Sequence, residues 1–412
     1  MEFKIIGLGA AGNKAAIDVV KEGVLPKESI LLINSTLKDV PEDYRDFAVK
    51  IGTLDGCGKE RKLSENMMQS AIENSEFTDM LEEFIPEGDI TVLIVGGTEG
   101  GTASGSMEIL RRAIDTALDT KTILCPITGF QDDIRGIQNT LEFFEQLGED
   151  GEHRPPVVLM INNKDFLSEA KGNKQIAEEL ANKELARKVS VLKSDDLIDS
   201  KQVLDNTDKT KVITEPGMLL VGRLDVEKIS DEDEFDVMVE KLIDNNYSFK
   251  HNQSAKKIAV MLSLEEKNLN NVDYDFTQFK KELGDAYEIY RHIQTSNKQF
   301  IAYMASGLDI PLEEIQKTYN EFKEKMESLK RKRVGFGDLG LNTRAAQNTD
   351  NMDSLGTSVS NAPGFKKRRG FGAKGNVTSA SGGRIDMKRT SKINQEITNA
   401  KDIKDMKDNE GF

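Results

Sequence analysis

The sequence is poor in the residues that bind metals and form disulfides. It contains two cysteines, Cys57 and Cys125, and three scattered histidines in 412 residues, at spacings that fit neither a disulfide framework nor a zinc site. Metalloenzyme and thiol-redox chemistries lose their support. No stretch approaches the roughly 18 consecutive apolar residues of a membrane-spanning helix. The opening residues, MEFKIIGLGAAG, have neither the basic stretch nor the cleavage pattern of a secretory signal. These absences predict a soluble, cytoplasmic chain without a membrane partner.

Charge is abundant and unevenly spread. The net charge is -15, yet from Lys330 onward 17 Lys and Arg stand against 9 Asp and Glu. An acidic body thus carries a basic tail, with clusters at Lys330, Arg331, Lys332 and Arg333 and again at Lys366, Lys367, Arg368 and Arg369. Opposite charge on body and tail predicts two different partners.

Apolar runs at 3–6, 30–33, 90–95, 122–127 and 157–161 are each followed by turn residues and a helical pattern. That alternation predicts a parallel α/β sheet. Ile176, Leu180, Leu185, Val189 and Leu192 then mark a helix that ends near Asp195 and Asp196 and bridges to a second region. There, runs at 218–224, 258–264, 287–293 and 300–304 predict a smaller mixed sheet. Leu312, Ile315, Tyr319, Phe322, Met326 and Leu329 recur at steps of 3 and 4, the stripe of an amphipathic helix packing on its own domain. Past Arg333 no periodic apolar face remains, and the tail reads as disordered.

Two glycine-rich turns follow strands and suit an anion. The first is Gly7-Leu8-Gly9-Ala10-Ala11-Gly12-Asn13; glycines permit close approach and the following helix start offers unpaired N–H groups. The second runs from Gly96 to Ser106, with a helix expected from about Met107 and the hydroxyls of Thr102 and Ser104 joining the backbone amides in an anion nest. A flexible Gly/Ser loop is the alternative. A dinucleotide oxidoreductase would need an acidic residue at the end of the second strand, where Asn34-Ser35-Thr36 stands instead. Gly56-Cys57-Gly58-Lys59-Glu60 lacks the spacing and terminal hydroxyl of a P-loop. Farther on, Asp205 and Asp208 sit three apart at a helix start, on one face; they could also simply cap that helix.

Together these segments resemble the tubulin/FtsZ family of GTPases, whose GGGTGTG signature is approximated by Glu99-Gly100-Gly101-Thr102-Ala103-Ser104-Gly105 and whose first turn, GxGxxGN, is matched by Gly7, Gly9, Gly12 and Asn13. Asn34-Ser35, the loop with Asp133 and Arg135, Ile161-Asn162-Asn163-Lys164-Asp165, and Ala181-Asn182-Lys183 resemble its further nucleotide loops, and Val203-Leu204-Asp205-Asn206-Thr207-Asp208 its catalytic loop. Glu99 replaces the first signature glycine and Val203 the catalytic loop's asparagine. The departures and the basic tail are similar to the TubZ branch, which moves plasmid or phage DNA.

The resemblance implies GTP or GDP, with Mg2+, held by Gly9, Ala10, Ala11, Gly12, Asn13, Asn34, Gly100, Gly101, Thr102, Ala103, Ser104, Gly105, Asp133, Asn163 and Asn182. No metal ligand in the chain is identifiable. Asp205 and Asp208 would complete the site of the next subunit in a head-to-tail filament, so that hydrolysis follows assembly. The tail would engage a DNA-bound, TubR-like adaptor, with direct DNA contact secondary. On this reading residues 1–173 form the GTP-binding α/β domain, 174–200 the connecting helix, 201–310 the mixed-sheet domain, 311–333 the C-terminal helix and 334–412 the basic tail. A non-hydrolysing structural filament or adaptor, or a divergent cell-division protein, remains the alternative.

Overall fold

A computed structural model describes residues 2–118, 120–148, 155–193, 203–244 and 254–334. The expected helix end near Asp195 and Asp196, and the tail from 335 with its second basic cluster, lie outside the described residues.

The first half alternates strand and helix: β1 (Glu2–Leu8), α1 (Gly9–Lys21), β2 (Ile30–Asn34), β3 (Ala48–Lys50), α2 (Arg61–Ile72), α3 (Ser75–Phe84), β4 (Ile90–Gly97), α4 (Gly101–Leu118), β5 (Lys121–Thr128), α5 (Ile134–Gly148), β6 (Val157–Val158), β7 (Ile161–Asn162) and α6 (Lys174–Lys193). Then follow α7 (Asn206–Ile213), β8 (Gly217–Asp225), α8 (Glu232–Asp244), β9 (Lys257–Leu264), α9 (Glu266–Leu269), α10 (Thr277–Leu283), β10 (Glu288–Thr295), β11 (Phe300–Leu308) and α11 (Leu312–Val334). Residues up to Lys323 belong to one compact unit; a second begins at Glu324, and its described part is the end of α11.

The strands form one mostly parallel sheet in the order β10-β9-β11-β8-β6-β5-β4-β1-β2-β3, with β7 beside β5. Only β11 runs antiparallel to its neighbours, β8 and β9. The sheet passes unbroken through the expected junction of two domains, because Val157 and Val158 of β6 pair with Gly217 and Met218 of β8. Alternate residues of each strand point to opposite faces. On β4, Leu93 and Val95 join α1 and α6 in one core, whereas Val92 and Ile94 join α2, α3, α4 and α5 in the other. A third core under α8 and α10 covers the second half.

Helix α4 starts at Gly101, six residues before the sequence suggested. Gly, Thr and Ser are weak helix formers, but burial of every residue from Gly101 to Ser106 overrides propensity. Helix α6 ties the halves together: the buried Lys188 Nζ donates to the Val221 carbonyl on β8 at 2.6 Å and faces Glu184 Oε1 at 3.4 Å. Burial pushes the Lys188 amine below its ordinary range and the adjacent Cys125 thiol up to about 12.

Candidate nucleotide site

The chain forms β1, β2 and β3 in one direction across the sheet, then crosses back to place β4 on the other side of β1. Such a reversal opens a crevice at the carboxyl ends of the two strands. Both glycine turns lie there, since β1 and β4 are parallel with Leu8 opposite Gly96.

Gly9 begins α1 with φ +69°, a left-handed value that costs glycine nothing. A side chain at Gly12 would lie 2.1 Å from the Val95 carbonyl oxygen, so α1 rests directly on β4. Asn13 is buried and clamps the turn: with its amide nitrogen turned inward it donates to the carbonyls of Gly7 at 2.7 Å and Gly9 at 3.3 Å. A β-carbon at Gly9 would come within 3.3 Å of Thr102 Cβ, so the starts of α1 and α4 converge. Their unpaired N–H groups and dipoles favour an anion between them. Asn34, at the end of β2, supports the same corner: its Oδ1 accepts from Ser35 N–H at 2.8 Å, and Ser35 Oγ lies 3.1 Å from Thr102 Oγ1.

Beside the first turn is a cavity of about 270 Å³ lined by Ala10, Ala11, Lys14, Ile127, Asn163, Glu178 and Asn182. It gathers residues from three of the sequence segments singled out above. Asn182 is held by donation to Asp18 Oδ2 at 2.7 Å. Asn163 is buried, and its Oδ1 has no hydrogen-bond partner; nor does the Asn34 Nδ2. Buried polar atoms left unpaired cost about 1–3 kcal/mol each, so a polar ligand gains by satisfying them.

The rest of the second turn faces elsewhere. A side chain at Gly105 would lie 2.3 Å from the Arg61 carbonyl, and one at Gly101 2.8 Å from the Glu60 nitrogen: both glycines let α2 pack on α4. Ser104 Oγ bonds back to Gly100 O, and Ala103 is buried in the core. Asp133 does not line the cavity. It caps α5 through the N–H groups of Arg135 and Gly136 and pairs with Lys59 Nζ at 2.5 Å, and that lysine holds its carboxyl below the usual range. Glu99 turns into the same cluster, accepting the Gln131 N–H at 2.8 Å; burial, with Asp132 and Asp133 nearby, raises its pKa. Lys59 and Gln131 both have positive φ, +66° and +57°, strain held by this packing.

Asp205 and Asp208 lie toward the opposite ends of the strands. Thr210 of α7 accepts from Lys121 Nζ at 3.3 Å, and Lys121 is the first residue of β5, whereas the cavity residue Ile127 is near that strand's end. Six residues of strand separate them, roughly 20 Å. Asp205 caps α7, its Oδ1 accepting the Asp208 N–H at 2.8 Å, and Asp208 pairs with Lys211 at 3.2 Å. Within one subunit the carboxylates cannot reach the cavity.

No protein-family model matches the sequence, and no curated protein matches it. Solved structures do. CetZ2 from Haloferax volcanii, a GTPγS-bound protofilament, aligns with TM-score 0.63 at 18% identity over 79% of this chain and 100% of its own. TubZ of Clostridium botulinum phage c-st gives 0.62 at 17% over 79% and 98%, and an empty FtsZ dimer of M. jannaschii 0.58 at 17% over 74% and 88%. The fold is that of the tubulin/FtsZ proteins.

Within the tubulin/FtsZ fold of this chain, Lys14, Glu178 and Ile127 were missed by sequence reasoning. Lys14 and Glu178 face each other at 3.4 Å across α1 and α6; Glu178 stands one helical turn before Asn182, the spacing that shares a helix face. Among the described residues no group of three or more His, Cys, Asp or Glu could hold a metal. Among the described residues, no helix is long and apolar enough to cross a membrane.

Proposed function

We propose that this protein is a GTP-dependent, self-assembling GTPase whose site is divided between two subunits. The observation that carries this reading is the separation just described: the cavity and converging helix starts at the carboxyl ends of the strands, the Asp205–Asp208 pair toward their amino ends. Stacked head to tail, one subunit's carboxylates meet the next subunit's crevice. The base and ribose would occupy the cavity against Asn163, Asn182 and Glu178, with phosphates over Gly9–Ala11 and Gly100–Thr102. Asp205 and Asp208 would orient or deprotonate the attacking water, which suits phosphoryl transfer, a reaction governed by positioning and electrostatics. Magnesium would neutralise phosphate charge. The GTPγS-bound protofilament of the CetZ2 neighbour supports both the ligand and the mode of assembly. The finer role, segregation of plasmid or phage DNA through an adaptor on the basic tail, rests on the likeness to the TubZ branch and on the charge of that tail.

A second reading, a filament in which nucleotide is only a brace, is favoured by one feature: Asp205 and Asp208 already serve the helix start and Lys211, and the exposed Val203 offers no polar group beside them. Phosphate release measured against protein concentration, with sedimentation of the same samples, separates the readings. Release that begins at the concentration where pellets appear supports the divided site. Pellets without release favour the brace, and release independent of concentration refutes both. Asp205→Ala should lower the rate roughly 10²-fold or more while nucleotide binding and pelleting persist.

A further inference from the structure

The segment that presents Asp205 is held by a histidine the functional reading does not use. His292 of β10 is fully buried, and its Nδ1 accepts the Leu204 N–H at 3.3 Å. Its Nε2 lies 3.4 Å from Gln294 Oε1. The Gln294 amide donates in turn to Ser263 Oγ at 2.9 Å, and that hydroxyl donates to the Lys298 carbonyl at 2.7 Å.

Each proton in this chain has one place. A backbone N–H can only donate, so Nδ1 must be bare and Nε2 must carry the hydrogen that Gln294 accepts. The terminal carbonyl can only accept, which fixes the chain from its other end. The ring is therefore neutral and of one tautomer. Tyr290, two residues earlier on the same face of β10, lies under Lys211 of α7, whose Nζ is 5.5 Å from the ring centroid. Helix α7 and its lead-in thus rest on β10 at two points.

We propose that His292 is a positioning residue: its neutral ring anchors Leu204 and so fixes the direction in which Asp205 and Asp208 face a second subunit. This rests on the divided-site reading. A protonated ring has no acceptor at Nδ1 and must release Leu204. Burial lowers the histidine's pKa, Lys209 of α7 acts in the same direction, and Gln294 opposes them; Ser263 from β9 and the Leu204 backbone are neutral. The hold is present above the ordinary histidine range, near pH 6.5, and is lost as pH falls through the lowered folded value.

The test uses the full-length protein with GTP, reading phosphate release per pelleted subunit between about pH 7.5 and 5.5, together with hydrogen exchange of the Leu204 amide. His292→Leu, which has no acceptor, should lower release roughly 10- to 100-fold, leave nucleotide binding unchanged and expose the amide to exchange. His292→Asn, whose Oδ1 replaces Nδ1, should restore rate and protection and abolish the fall in rate at acid pH seen in the parent. Parental rate and protection in His292→Leu, or an acid fall that survives in His292→Asn, would overturn the proposal. Should His292→Leu not fold, the His292→Asn profile decides. If Asp205→Ala proves as fast as the parent, the divided-site reading fails, while amide protection still reports the anchor itself.

Discussion

The two glycine turns read alike in sequence and do different things in the fold. In the first, glycine serves the ligand side: Gly9 takes a left-handed φ at the helix start, and Gly12 lets α1 settle onto β4, which leaves Ala10 and Ala11 facing the cavity. In the second, Gly101 and Gly105 serve the opposite side, admitting the backbone of α2 against α4. Gly96, Gly97 and Thr102 of the second turn stay beside Gly12, Ala11 and Gly9 of the first. A glycine-rich signature therefore combines the shaping of a cavity wall with helix packing, and spacing alone does not separate them.

Substitutions can sharpen that contrast. Gly12→Ala should have the largest effect: a methyl 2.1 Å from a strand carbonyl requires backbone movement, and a loss of about 3 kcal/mol or more is expected by denaturant unfolding. Gly105→Ala comes next. Alanine is the better helix former by about 1 kcal/mol, but the Arg61 carbonyl is 2.3 Å away, so net destabilisation of about 1–2 kcal/mol should appear with nucleotide affinity nearly intact in the folded fraction. If Gly105→Ala instead abolishes nucleotide binding without loss of stability, the division of labour is wrong. Gly100→Ala inverts the pattern: its β-carbon would meet nothing nearer than 3.7 Å, so stability should stay within about 0.5 kcal/mol, while equilibrium nucleotide titration should show weaker binding.

The smallest effect is expected at Glu99. Its folded-state pKa is raised, first by burial, so the neutral form is favoured in the fold and stability is lost as pH rises through that pKa. Glu99→Gln keeps an acceptor for Gln131 and removes the buried charge. Thermal melts should place it above the parent at pH 8, by about 1 kcal/mol or less, with the gap closing as pH is lowered. A gap that widens on acidification would mean the carboxylate is stabilising where it lies.

The strands were nearly all readable because their apolar runs are long and bounded: β4, expected at 90–95, spans Ile90–Gly97, and β9, expected at 258–264, spans Lys257–Leu264. α6 and α11 were readable for the same periodic reason. Helices α2 and α3 were not marked. Both carry an apolar face, Leu63, Met67, Met68 and Ile72 in α2 and Phe77, Met80, Leu81 and Phe84 in α3, but each helix is short, 12 and 10 residues, and the polar residues between these positions leave a weak signal. The joining of two sheets through two residues of β6 is likewise below any periodic signal. Of the residues lining the cavity, Ala10, Ala11, Asn163 and Asn182 belong to local motifs legible in the sequence. Lys14, Glu178 and Ile127 belong to none, and only folding brings them to one wall.

The margins of the sheet limit how such a molecule can multiply. One margin is β3, only three residues long. The other is β10, where His292, Ile293 and Gln294 are buried. With three residues, β3 offers no long open ladder of backbone groups through which β proteins zip together sideways. Growth by strand addition is thereby discouraged at that margin.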